Sequence, residues 1–203
     1  MNSLVIIGAS GHGKVIADIA EKIGYTNIVF LDDNETIKNC GKYSVIGTSK
    51  DAMQYSSFDF IVGIGNAKIR KIIQTALIEK EMHVVTLVHP KAVIASDVSL
   101  GTGSVVMAGA IINPGSMIGN GCIINTGATV DHDNIISDYA HVSVGSHLAG
   151  TVTIGSGAWI GAGAIVNNNV TICDNCMIGA GAVVTKSINE PGTYIGVPAR
   201  RIV

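Results

Sequence analysis

Every sixth residue from Ile94 to Val184 is aliphatic: Ile94, Leu100, Val106, Ile112, Ile118, Ile124, Val130, Ile136, Val142, Leu148, Ile154, Ile160, Val166, Ile172, Ile178 and Val184. Four residues after most of them stands a small side chain, as at Ser104, Ala110, Ser116, Cys122, Ala128, Ala140, Ser146, Ala158, Ala164 and Ala182. A period of six predicts a parallel β-helix, in which short strands stack coil upon coil around one narrow core. Three hexads close a coil of about 18 residues, so the run supplies roughly five coils, each ~4.8 Å above the last. No insertion interrupts it. Chemistry there must come from side chains on the coils themselves.

The first third follows another pattern. Residues 3–7 read as a buried strand, followed by Gly8-Ala9-Ser10-Gly11-His12-Gly13 and a helical pattern to about Ile23. A second strand, Ile28 to Leu31, ends on Asp32-Asp33. A third apolar run, Phe60 to Ile64, ends on Gly65-Asn66 and leads into a helix over about Ala67 to Glu81. Strands alternating with helices predict a parallel sheet with its ligand at the carboxyl ends of the strands. The chain thus divides into an α/β half-Rossmann domain over 1–85 and a β-helix over 86–203 that ends in a non-repeating tail.

Composition sharpens this division. Aromatic residues are only 4%, as a core of stacked aliphatics requires, and 25 glycines suit its corners. A net charge of −2 leaves no electrostatic footprint for nucleic acid or an anionic membrane. No apolar run approaches the ~20 residues of a span. The Leu4–Ile7 run lacks the length and basic flank of a signal peptide, so a cytoplasmic location is expected. Cys40, Cys122, Cys173 and Cys176 form no dense secreted framework. Cys173 and Cys176 have C-x-x-C spacing, but no second pair follows, and Cys176 takes the small interior position of its hexad.

The first loop has G-x-x-G-x-G spacing rather than G-x-G-x-x-G. Glycines let the backbone approach a phosphate, and the helix start adds free N–H groups. Asp32 stands where a carboxylate can accept from ribose hydroxyls or a base N–H. The sheet is only half of a dinucleotide fold, so a nucleotide diphosphate fits better than NAD. His12 is unusual for a purely structural turn.

In the repeat, departures are conspicuous. Asp131-His132-Asp133 puts two carboxylates and an imidazole in one corner of a nearly uncharged stack. A histidine flanked by carboxylates suits a general base near neutral pH. One coil on, Gly150 lies about 5 Å above His132, and its N–H is a candidate oxyanion donor. His141 and His147 follow six residues apart, on successive faces. Three histidines converging across subunits would instead read as a metal site. The tail, Tyr194 to Arg201, breaks the repeat and carries two arginines that meet either phosphates or solvent.

Together these residues resemble the bacterial nucleotide-sugar acetyltransferases that acylate UDP-4-amino-sugars, a group related to sialic acid O-acetyltransferases. The resemblance rests on Gly8–Gly13, Phe30–Asp33, Gly65-Asn66, Leu87-Val88-His89-Pro90, Asn125-Thr126, Asp131–Asp133, His141–Gly145 and Gly196–Ala199, in that order. It implies a left-handed β-helix, a homotrimer, and acetyl-CoA as co-substrate in the groove between neighbouring prisms, with no permanently bound cofactor and no metal. The nucleotide-sugar would be held through Ser10, Gly11, His12, Asp32, Asp33 and Gly65. His132 matches the catalytic base and Asp133 the acid that makes it more basic, with Asp where the family pattern has Glu. His141, Gly150, Ala162 and Ala180 match acetyl-CoA contacts, the two alanines through their main chain.

The expected activity is acetyl-CoA-dependent N-acetylation of the 4-amino group of a UDP-linked 4-amino-4,6-dideoxy sugar for a surface glycan. O-acetylation of a sugar such as sialic acid, a trimeric metal-dependent hydratase of the carbonic anhydrase kind using His132, His141 and His147, and a non-catalytic scaffold are the alternatives.

Overall fold

The computed structural model describes residues 2–202. The chain divides into two compact units, Met1–Pro90 and Lys91–Val203.

In the first unit, β1 (Ser3–Ile7) is an inner strand of a five-stranded sheet. It pairs in parallel with β2 (Asn27–Leu31) and with β5 (Asp59–Val62). The register Ile7↔Leu31 and Ile7↔Val62 brings the loops after all three strands to one edge, as the βα alternation predicts. Two strands were not legible as apolar runs: β3 (Asn39–Cys40) and β4 (Tyr43–Gly47). They extend the sheet beyond β2, in the order β3-β4-β2-β1-β5. No residue of β4 is fully buried, so it shows no continuous hydrophobic signal. A 3-10 helix, Ser49–Tyr55, follows it.

Helix α1 (Gly11–Lys22) buries Gly13, Ile16, Ala17, Ile19 and Ala20. It lies close to the sheet because Gly13 has no side chain: a Cβ there would stand 2.2 Å from Gly8 O and 2.9 Å from Phe30 Cε1. Helix α2 (Ala67–Glu79) buries Arg70, Gln74 and Leu77, whereas Ile69 and Ile72 are exposed. That stripe inverts what hydrophobicity alone predicts. The two helices and the third strand end one or two residues short of the sequence expectation, at Lys22, Glu79 and Val62.

The second unit is a parallel β-helix of two-residue strands on three faces. One face stacks Val93–Ile94, Ile111–Ile112, Thr129–Val130, His147–Leu148, Ile165–Val166 and Val183–Val184. The second stacks Ser99–Leu100 to Thr171–Ile172, and the third includes Ile123–Ile124, His141–Val142 and Trp159–Ile160. As far as Val183–Val184, paired strands are eighteen positions apart, as in Thr129↔His147 and Ile123↔His141, whereas Met177 pairs with Thr193 of the tail. From Val106 onward every residue of the aliphatic series is buried, while Ile94 and Leu100 on the open first coil are half-buried. The tail is a hairpin, Thr193–Ile195 with Arg200–Ile202. There Arg201 pairs with Glu190 at 2.8 Å. Among the described residues no helix is long and apolar enough to cross a membrane.

Candidate active site

The corners of the β-helix turn through a left-handed residue that is usually glycine, as at Gly109, Gly127, Gly145 and Gly163. In the corner after Thr129–Val130 that place is taken by Asp133, with φ 56°. Asp tolerates this conformation better than most residues, at a cost of about 1 kcal/mol. In exchange the corner gains a carboxylate: His132 Nδ1 lies 2.8 Å from Asp133 Oδ2. A carboxylate only accepts, so Nδ1 carries the proton and Nε2 is left free to take one. Asp131 lies on the other side, where its Oδ1 accepts the His132 N–H at 2.8 Å and the Asn113 amide at 2.9 Å. The hydrogen bond to Asp133, and then the charge of Asp131, raise the His132 pKa above its ordinary value. The Asn113 amide and the His132 N–H hold Asp131 below the usual carboxylate range.

The imidazole lies against the next coil. A Cβ on Gly150 would stand 2.5 Å from His132 Nε2 and 2.6 Å from Cε1, so any side chain there would push the ring away. Gly150 is buried, and its N–H has no acceptor among the described residues. Unpaired N–H groups in buried residues are rare, and this one borders the atom that can take a proton. The N–H groups of Ala162 and Ala180 also lack acceptors among the described residues, but those residues are exposed. Beside the corner is a groove of about 390 Å³ lined by Asn113, Thr129, Asp131, His147, Ala149 and Ile165.

Of the other two histidines, His147 lines this groove and His141 lies on another face. His141 is buried on the third face, 3.0 Å from the Asn125 amide, with its ring 4.8 Å from that of Trp159. His147 is exposed on the first face, with Nδ1 2.9 Å from Thr129 Oγ1. Among the described residues no three His, Cys, Asp or Glu side chains converge as a metal site within the chain. Cys173 and Cys176 have their sulfurs 3.3 Å apart, and burial pushes the Cys176 thiol up to about 12.

Asn113 and Trp159 played no part in the sequence reading. Each sits eighteen residues from a residue already singled out, Asp131 and His141, so the repeat period itself was the missed signal. Asn125 stood in a noted motif without a role.

In the first unit the sheet edge carries the other candidates. Ser10 precedes α1 without capping it through its side chain, so the first-turn N–H groups lack that partner. Gly11 and Gly65 have open space where a Cβ would be, whereas Gly8 and Gly13 are packed tightly. The glycines thus divide between access and packing. Asp32 is partly engaged by the fold, accepting from Ala9 N–H at 2.7 Å and Asn34 N–H at 2.8 Å. Asp33 accepts from Ser49 N–H at 2.8 Å. Asp32 also lines a cleft of about 450 Å³ with Glu35, Lys38, Ile46 and Thr48. His12 Nε2 is buried without a hydrogen-bond partner among the described residues. Burial, then the charge of Arg70, lower the His12 pKa to about 4, so the ring is neutral at physiological pH. Arg70 itself, 1% exposed, donates from Nη1 to the Ile64 and Gly65 carbonyls at 2.8 Å each. Sequence reasoning missed it because a lone arginine on a helix reads as solvated.

The PglD N-terminal domain family matches residues 3–77, and the bacterial transferase hexapeptide family (six repeats) matches residues 151–186. The acetyltransferase domain of PglB from Neisseria gonorrhoeae, solved in complex with acetyl coenzyme A, superposes with a TM-score of 0.96 at 39% identity, covering 99% of each chain. This chain belongs to the bacterial nucleotide-sugar acetyltransferase family. PerB from Caulobacter crescentus, solved with CoA and GDP-perosamine, has a TM-score of 0.93 at 35% identity over 100% of this chain and 98% of that one. The UDP-N-acetylbacillosamine N-acetyltransferase of Bacillus subtilis is 37% identical over 113 residues. That alignment spans about half of each protein, 53% of this chain and 52% of the relative.

Proposed function

We propose that this protein transfers the acetyl group of acetyl-CoA to the 4-amino group of a UDP-linked 4-amino-4,6-dideoxy sugar, in the cytoplasm, for a surface glycan. The observation that carries this reading is the His132 imidazole, oriented by Asp133 and packed against Gly150, whose N–H has no acceptor among the described residues. The amine nitrogen attacks the thioester carbonyl carbon while His132 Nε2 takes its proton. The Gly150 N–H stabilises the oxyanion that forms. Collapse of this intermediate breaks the C–S bond, and the proton held by His132 passes to the leaving thiolate of CoA. No acyl-enzyme is required, since positioning the amine supplies much of the acceleration.

In this reading His141, Gly150, Ala162 and Ala180 contact acetyl-CoA. Ser10, Gly11, His12, Asp32, Asp33 and Gly65 hold the nucleotide-sugar, with the α1 N-terminus facing its phosphates. The neutral His12 adds a hydrogen-bonding partner there without a charge. The relatives named for UDP- and GDP-linked amino sugars support an amine acceptor. The decisive assay is thiol release from acetyl-CoA with UDP-, GDP- and dTDP-linked 4-amino sugars and their 4-hydroxy counterparts. Turnover is expected with the UDP-amino sugar. Turnover only with hydroxyl acceptors would overturn N-acetylation, and none above the solvent rate would overturn the activity.

The assembly is read as a homotrimer. Val93 and Ile111, stacked on the first face, expose 63% and 38% of their surface, and Met117 and Ile135, stacked on the second, expose 51% and 43%, apolar pairs suited to another copy. Light scattering at assay concentration checks this, and an active monomer would refute it.

A further inference from the structure

Many corners of this β-helix close on themselves. At Ala128, Ala140, Ala158 and Ala164 the last N–H of the corner donates to the carbonyl three residues earlier, at 3.0–3.3 Å. The corner that carries His132 and the corner that carries Gly150 do not. The Asn134 N–H donates instead to Ser116 Oγ on the coil below, at 3.2 Å. The Asn134 amide replaces the missing closure, donating to Asp131 O at 2.6 Å. The same amide is inserted between the two ends of the next corner. There it donates to Ala149 O at 3.1 Å and accepts from Val152 N–H at 2.9 Å.

Asn134 is fully buried, at an interior position where the repeat elsewhere places Ala, Ser, Cys or Val. Packing does not demand an amide there, since the same place on other coils of this edge holds Ser116, Val152 and Val170, all buried. A hydroxyl would not suffice either: it has one proton to donate, whereas the amide has two and uses them on different coils. We propose that Asn134 is a positioning residue of acetyl transfer, joining the His132 corner to the Gly150 corner and setting the gap between proton acceptor and oxyanion donor. This rests on the function proposed above. Displacing reacting groups by about 1 Å costs on the order of 10²-fold in rate, so a tie between these corners acts on the chemical step.

The test compares Asn134→Ala and Asn134→Ser with Ser104→Ala. Ser104 makes the same kind of tie between coils, to Gly119 O and Cys122 N–H, at a corner without a histidine. Melting temperature, kcat, and KM for both substrates are measured for each. Asn134→Ala is expected to lower kcat about 10²-fold with both KM values within about twofold of wild type. Asn134→Ser, keeping one donor, should fall between. Ser104→Ala should lose comparable thermal stability with kcat within about twofold.

A loss of kcat in Asn134→Ala no greater than that in Ser104→Ala overturns the inference, as does a loss confined to KM. Failure of both Asn134 variants to fold also overturns it, because the residue is then purely structural. Wild-type inactivity on every amino sugar would instead overturn the function and this inference with it, which separates the two failures.

Discussion

Gly150→Ala probes the tightest contact of the candidate site while leaving the backbone N–H in place. The new Cβ would stand 2.5 Å from His132 Nε2, 2.6 Å from Cε1 and 3.1 Å from Cδ2. Ordinary contact begins near 3.4 Å, so the ring must retreat by about 0.9 Å. It can do so, because the His132 side chain is 57% exposed. Gly150 is not among the residues at positive φ, so alanine adds no backbone strain and the coil should stay folded. The cost therefore falls on the reaction: a shift near 1 Å corresponds to about 10²-fold in kcat, or about 2.7 kcal/mol in the barrier. The assay is steady-state thiol release at saturating acetyl-CoA and amino sugar, with circular dichroism and melting temperature as controls on the fold. A folded Gly150→Ala enzyme with kcat within threefold of wild type would refute the reasoning. The base would then not need to pack against Gly150.

His132→Ala should lower kcat by ~10²–10⁴-fold, the usual range for a general base, with binding of both substrates by calorimetry nearly unchanged; a near-normal rate would reduce the ring to a positioning role. Asp133→Asn should cost less. Because the hydrogen bond that Asp133 accepts and the nearby negative charge raise the His132 pKa, removing the Asp133 charge lowers it, and the acidic limb of the pH–rate profile should move to lower pH. An unmoved limb would mean that Asp133 does not act on the titrating group. Trp159 is the single tryptophan of the chain and its ring packs on His141, so acetyl-CoA binding at His141 should change the intrinsic emission, and His141→Ala should abolish that response. Unchanged emission at saturating acetyl-CoA would place the ligand elsewhere.

The repeat made long-range geometry a matter of counting. Because paired strands of the repeat are eighteen residues apart, the sequence alone determined the coils, the buried aliphatic series and the position of Gly150 over His132. The same arithmetic would have placed Asn113 beneath Asp131 and Trp159 over His141. The sheet edge of the first unit was legible for a related reason, since three strand ends followed by Gly, Asp or Asn must lie side by side in a parallel βα sheet. Tertiary structure alone decided what is not periodic. Arg70 is buried because of what α2 packs against, and no local signal distinguishes it from a solvated arginine. Nothing in the spacing shows that the His132 and Gly150 corners forgo their own closing hydrogen bonds. Asn134 occupies an ordinary interior position, and its role arises only when donors and acceptors from three coils meet at one residue. Period and polarity follow from the order of residues, whereas hydrogen-bond partnership depends on angles and distances that the folded chain alone supplies.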